Sequence, residues 1–122
     1  MTKRTMKTDE EHNVLVRAMV NKLQSEGMTV KADHISHPNG QPPIIGGHIP
    51  DIEARSYVNK IIVEAETADT VSIEETRRQF AAFSNAYGYQ FHVIVPNGMI
   101  PIMQKQVQDW GVRVDKFWEL SA

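Results

Sequence analysis

Three acidic side chains stand where a folded chain has little use for negative charge. Asp51 interrupts the extended run IPDIEA, and Glu64 and Glu66 flank Ala65 at the end of KIIVEAE. Side chains two positions apart on a strand project from the same face, so Glu64 and Glu66 emerge side by side. If the segment holding Asp51 pairs with this strand, its carboxylate comes to lie opposite them. Like charges so close repel and lose hydration, and a shared cation removes both objections. Two or three carboxylates plus water suit magnesium at about 2.1 Å and leave positions open for phosphate oxygens. A cation so held lowers the pKa of bound water and neutralises charge on a phosphodiester in transit. The plainer alternative is that one glutamate of the pair is a solvated strand end.

Histidines and basic residues could serve the same chemistry. His34, His37 and His48 surround the Pro/Gly-rich loop HPNGQPPIIGG that leads into Asp51. Loops beside an active edge often carry binding groups, and imidazoles contact phosphate or exchange protons near neutral pH. They read equally as ordinary polar loop residues, and no pair has the helical spacing of a zinc motif. His92, inside the apolar run YQFHVIV, reads as a hydrogen-bonded core histidine. Lys3, Arg4 and Lys7 make the start basic, and Arg77 with Arg78 forms a second basic pair, either for phosphate or as solvated surface.

The composition narrows the classes. At 122 residues the chain fits one domain, residues 1–122, with residues 1–8 expected to be a mobile basic N-terminus. Its 41% hydrophobic and 23% charged content is that of an ordinary soluble protein. No apolar run approaches the roughly 18 to 20 residues of a membrane span, and no apolar h-region follows the basic start, so a cytoplasmic protein with no membrane partner is expected. The absence of cysteine excludes disulfides, thiolate zinc sites and a thiol nucleophile, so a metal must be held by oxygen or imidazole. That points to Mg2+ or Mn2+. The formal net charge of −2 excludes a surface that is uniformly a polyanion trap, while local basic patches remain compatible with it.

The elements that would position these groups follow from periodicity. From Asp9 to Leu23 apolar residues recur at three- and four-residue steps, which predicts an amphipathic helix capped by Asp9 and ended by Gly27. Met28 to Ile35 reads as a strand, and the Pro/Gly-rich stretch as a loop. His48 to Arg55 and Lys60 to Glu66 read as antiparallel neighbours joined near Ser56 to Asn59. Ser72 and Glu75 have the spacing of a capping box for a helix over Thr76 to Ala86. Tyr89 to Val95 is a buried strand, Pro101 opens a helix to Trp110, and Gly111 to Leu120 reads as a last edge strand. Phe117 and Trp118 cannot share a strand face, so one of them is expected to be exposed or buried in a dimer. The order predicts an α/β fold with a mixed central sheet flanked by helices.

The run GGHIPDIEA followed by KIIVEAET resembles the PD-(D/E)XK signature of the restriction endonuclease-like nuclease superfamily. That superfamily includes Holliday-junction resolvases, restriction enzymes and recombination exonucleases. The resemblance covers Pro50, Asp51, Glu64 and the surroundings of Glu66. It implies an α-β-β-β-α-β core, here followed by an extra C-terminal helix and strand. It further implies divalent-metal-dependent hydrolysis of DNA phosphodiester bonds, with branched or single-stranded DNA among the candidate partners and a homodimer as a frequent form. Asp51 and Glu64 become metal ligands, the carbonyl of Ala65 is a further candidate ligand, and Glu11 is the helical glutamate that often completes such sites, with Glu10 behind it. Gln79 and Phe83 in QFAAF resemble a Q-x-x-x-Y motif without its hydroxyl, which puts Gln79 beside Asp51, Glu64 and Glu66 in the catalytic set. His34, His48, Lys60, Arg77 and Arg78 are the candidates for substrate contact.

The sequence departs from that pattern where the superfamily has its lysine, because the triplet reads Glu-Ala-Glu. A carboxylate cannot supply the missing cation. Glu66 could hold a second metal or act as a base, a lysine such as Lys60 or Lys31 could reach in, or cleavage could be lost. The last option leaves a catalytically inactive binding or protein-interaction module as the alternative. A hydrolase of a small phosphorylated ligand is a third reading.

Overall fold

The structure, a computed structural model, describes residues 6–120. The elements run α1 (Met6–Ser25), β1 (Thr29–Ala32), β2 (Ile52–Arg55), β3 (Lys60–Ala65), α2 (Glu74–Ser84), β4 (Gln90–Pro96), α3 (Ile100–Trp110) and β5 (Lys116–Leu120). The strands form one mixed sheet in sequence order. β1, β2 and β3 are antiparallel neighbours, as short turns permit, while β4 lies parallel to β3 and β5 parallel to β4. Each parallel step needs a crossover, and α2 and α3 supply them.

Helices cover both faces of the sheet. In α1 the buried residues His12, Leu15, Val16, Met19, Val20 and Leu23 make one stripe at helical spacing. The apolar part of that stripe packs on Val30, Ile52, Ala54, Ile61, Val63, Ala65 and Ile94. On the other face Phe80 and Phe83 of α2 and Met103 and Val107 of α3 pack on Ile62, Phe91, Val93 and Val95. Phe80 meets Phe91 edge to face at 5.1 Å and Trp110 at 5.7 Å. Covering on both faces explains why β3 and β4 are nearly continuous apolar runs. Among the described residues no helix is long and apolar enough to cross a membrane.

Several boundaries differ from the sequence expectation, each for a local reason. α1 begins at Met6, so Asp9 lies in its first turn and does not cap it. The expected mobile arm 1–8 therefore overlaps the helix at residues 6–8, and residues 1–5 lie outside the described residues. β1 stops at Ala32 because His34 takes a left-handed backbone with φ 68°. The strand expected over His48 to Arg55 is confined to Ile52–Arg55. Pro50 has no N–H for a ladder, and the Asp51 N–H is taken by the Glu64 side chain. The capping box is absent: α2 is preceded by Ile73, with extended φ and ψ and no side-chain cap, so Ser72 lies one residue too early. Its first turn keeps Glu74 and Glu75, which suit the positive end of a helix dipole.

Phe117 and Trp118 are each half-buried, on opposite faces of β5 and against different halves of the core. Trp118 Nε1–H donates to His92 Nδ1 at 3.0 Å. Gly46 lets the Pro/Gly-rich loop lie on α2. A Cβ there would sit 2.9 Å from the Ala82 Cβ, on a backbone with φ 60°.

A candidate divalent-cation site at the end of the sheet

The antiparallel register brings the three acids together. β2 pairs with β3 through Ile52↔Val63, so the residue before Ile52 arrives beside Glu64. The Asp51 N–H donates to Glu64 Oε1 at 2.9 Å, and the Ala65 N–H donates to Asp51 Oδ2 at 2.8 Å. Glu66 continues from β3, held by its N–H to Ile94 O at 3.0 Å, and the Thr76 hydroxyl of α2 lies 3.3 Å from Glu66 Oε1. One oxygen from each of Asp51, Glu64 and Glu66 lies within 4.8 Å of the others, and all three residues are buried.

Two imidazoles complete the arrangement. His12 Nε2, from the stripe of α1, lies 3.1 Å from Asp51 Oδ2, and His34 Nε2 lies 3.2 Å from Asp51 Oδ1. Burial alone would raise the Asp51 pKa. Hydrogen bonds from His12 and His34, the charge of His12 and the Ala65 N–H outweigh that effect and hold the carboxyl well below the usual carboxylate range. Asp51 is therefore an anion at neutral pH despite being 5% exposed.

The acids open into a cleft of about 610 Å³. Asp9, His12 and Asn13 of α1 and Glu75, Thr76 and Gln79 of α2 line it, together with His34 and the buried Thr70. His12 and His34 are the only basic side chains among the described residues that line it.

Of the residues singled out in the sequence, Asp51, Glu64, Glu66, Gln79 and His34 share this cleft. The contact that Ala65 makes with Asp51 is through its N–H, not the carbonyl expected to join a metal. Glu11 and Glu10 are exposed and outside the cleft, because a helix turns about 100° per residue and that rotation carries His12 inward instead. His48 lies against Phe83, with ring centroids 6.2 Å apart, and does not line the cleft. His37 is bonded to Gln24 at 3.0 Å. Arg77 and Arg78 are on the solvent side of α2, Arg77 paired with Glu74.

Neither candidate lysine lines the cleft. Lys60 shares a face with Glu64 but starts the strand that Glu64 nearly ends, about 13 Å away at ~3.3 Å per residue. Its ammonium lies over the Tyr89 ring, 4.6 Å from the centroid. There a separate network forms: Arg55 binds both oxygens of the buried Glu53, and Tyr89 Oη–H donates to Glu53 Oε2 at 2.6 Å. Lys31 stands opposite Glu53 in the β1–β2 register, and its charge helps to lower the Glu53 pKa against the effect of burial.

Sequence reasoning missed His12 and Thr76. His12 precedes Val16 by four residues and Met19 by seven, so it continues the apolar stripe toward the N-terminus. A polar residue on that stripe was the available signal. Nothing comparable marked Thr76, whose role depends on where α2 lands.

The chain matches no protein-family model, no curated protein and no solved structure. What is defined is the class: an α/β protein with a five-stranded mixed sheet, three flanking helices and an acidic, histidine-edged cleft at one end of the sheet.

Proposed function

We propose that the chain is a divalent-cation-dependent hydrolase of DNA phosphodiester bonds, acting in the cytoplasm on a restriction endonuclease-like scaffold. The observation that carries this reading is the convergence of Asp51, Glu64 and Glu66, three buried acids with oxygens within 4.8 Å of one another, at the floor of an open cleft. Opposite ligands on an octahedral ion stand about 4.2 Å apart for bonds of ~2.1 Å, so this donor set fits Mg2+ or Mn2+ with small side-chain shifts. The ion would supply charge neutralisation at the phosphate and a more acidic water.

The chain's own residues do the rest. Asp51 and Glu64 would bind the ion, and the Ala65 N–H and the two imidazoles orient the Asp51 carboxylate. Glu66, steadied by the Thr76 hydroxyl, would accept a proton from the attacking water or hold a second ion. Gln79, at the cleft wall, would donate its amide to a phosphate oxygen. With five acids lining the cleft, a polyanion can enter only when cations do. The test is cleavage of single-stranded, duplex, flap and junction DNA with Mg2+ or Mn2+. Asp51→Asn and Glu64→Gln should each abolish cleavage in a folded protein, and full activity in either would end this reading.

One observation favours a second reading, a catalytically inactive binding or protein-interaction module. No lysine or arginine is among the described residues that line the cleft, where the PD-(D/E)XK pattern would put a lysine. On this reading no DNA is cut under any divalent ion, and chelator leaves stability unchanged.

A further inference from the structure

The imidazoles of His12 and His34 meet across the Asp51 carboxylate, and the three-carboxylate arrangement uses neither as a ligand. The geometry points to a second cation position, formed by His12 Nε2, His34 Nε2 and the Asp51 carboxylate, for a borderline divalent ion such as Co2+ or Zn2+, with Mn2+ a weaker occupant. Asp51 is then shared between this position and the carboxylate one. The inference rests on reading the cleft as a cation site.

Three features support it. The ligand atoms of His12, His34 and Asp51 lie within 4.8 Å of one another. His12 Nε2 lies 3.1 Å from Oδ2 and His34 Nε2 3.2 Å from Oδ1, so for an ion held by both carboxylate oxygens each nitrogen is at the spacing of a neighbouring ligand, about 3.0 to 3.4 Å for bonds of ~2.1 Å at right or tetrahedral angles. An ion can therefore replace the protons now shared in these contacts with little movement of the nitrogens.

Both imidazoles are also placed with care. His12 is 2% exposed, and its other ring nitrogen lies 3.3 Å from Asn13 Oδ1, the kind of outer partner that fixes a ligating imidazole. His34 projects from a left-handed backbone, φ 68°, that residues other than glycine seldom adopt. Its ring meets that of His12 edge to face at 4.9 Å. Its side chain is 45% exposed, which leaves an entry path from solvent.

The chemistry selects the ion. Magnesium prefers oxygen and sheds water reluctantly, whereas imidazole raises affinity for the later first-row ions. With no cysteine in the chain, nitrogen from these two rings is the softest donor near Asp51.

The test is titration of the full chain with Mg2+, Mn2+, Co2+ and Zn2+ as the ions alone, together with pulsed EPR of the Mn2+-loaded protein. His34→Gly suits the left-handed backbone, and His12→Gln keeps a donor toward Asp51, so both variants should fold. Each removes a nitrogen ligand for Co2+ and Zn2+ but only an outer partner of Asp51 for Mg2+, so Co2+ and Zn2+ affinity should fall about tenfold or more beyond any loss of Mg2+ affinity. Glu66→Gln should weaken Mg2+ more than Co2+. The wild type should show nitrogen couplings to Mn2+, and the double histidine variant none. Unchanged Co2+ and Zn2+ affinities in both histidine variants, or a wild-type spectrum without nitrogen coupling, overturn the inference. If that happens while Mg2+-dependent DNA cleavage persists, the proposed function survives. If nitrogen coupling is found and no DNA is cut, the proposed function falls and this site stands.

Discussion

Ala65 and Asp51 are joined across the end of β2 and β3 by a 2.8 Å hydrogen bond in which the backbone N–H of one donates to Oδ2 of the other. The same oxygen lies 3.1 Å from His12 Nε2, and Oδ1 lies 3.2 Å from His34 Nε2. Both oxygens of Asp51 therefore face donors. An asparagine has only one acceptor oxygen, so its amide must face an imidazole nitrogen that has changed tautomer to accept, and the hydrogen bonds to a charged carboxylate are lost. Asp51→Asn is expected to destabilise the metal-free protein by about 1.5–3 kcal/mol, the contribution of a hydrogen bond to a charged group. Urea denaturation at pH 7 measures this, and a variant as stable as wild type would contradict it.

Glu66 behaves in the opposite sense. Without a cation its carboxyl lies beside those of Asp51 and Glu64 in buried surroundings. Glu66→Gln keeps an acceptor for the Thr76 hydroxyl while removing a buried ionisable group next to Asp51, so the metal-free melting temperature should hold or rise by a few degrees. A cation at about 100 times its Kd should stabilise the wild type by about 2.7 kcal/mol, reversibly with EDTA, and Glu66→Gln should lose most of that gain. Thermal melts with and without Mn2+ decide the matter, and an equal metal response in both proteins would be the contrary result.

His92 sets an acid limit on stability away from the cleft. Burial lowers its pKa to about 4, against a smaller upward pull from Asp115, and its Nδ1 accepts from Trp118 at 3.0 Å. The unfolded imidazole takes a proton near pH 6.5, about two units before the folded one, so between these values the unfolded state binds more protons. The contribution is complete above about pH 6.5, declines as pH falls toward about 4, and is flat below. After allowance for solvent screening the loss is about 2 kcal/mol. Asp51 adds to it only at lower pH, below the ordinary aspartate value of about 3.9. Denaturation midpoints at pH 7, 5.5 and 4.5 should fall for the wild type and change less for His92→Gln.

Tyr89→Phe serves as a control at the other end of β3. It deletes the hydroxyl that donates to Glu53 Oε2 at 2.6 Å, beside the two bonds from Arg55. A hydrogen bond to a charged acceptor contributes about 1.5–3 kcal/mol, and the remaining Arg55 contacts should keep the loss near the lower figure. Cation affinity should not move, since neither Tyr89 nor Glu53 lines the cleft. A changed Mn2+ isotherm in this variant would show coupling along the strand that the contacts do not provide.

Strand parity placed Glu64 and Glu66 together, and antiparallel pairing brought Asp51 to them, because both rules act between neighbours in sequence. The mixed sheet and its helices followed from apolar periodicity. Glu11, with Glu10 behind it, looks chemically right as an acid on the first helix, whereas the apolar stripe carries His12, one residue further on, to the cleft. Lys60 had the right face but the wrong end of β3, a distinction that parity cannot make. Gln79, singled out only by the resemblance of QFAAF to a Q-x-x-x-Y motif, lines the cleft, whereas Thr76 depends on how α2 settles after the turn at Thr67 and Thr70, which no local pattern in the sequence fixes.

The order of strands in the sheet has a bearing on assembly. His12, His34, Asp51, Glu64 and Glu66 all belong to the stretch that makes α1 and the antiparallel half of the sheet, with its short-range pairings. The later parallel strands bring only the far wall. A growing polypeptide that has passed Glu66 already carries every atom of the two candidate ion positions. A bound ion would then restrain the N-terminal half before the crossovers close, and amide exchange should slow there first.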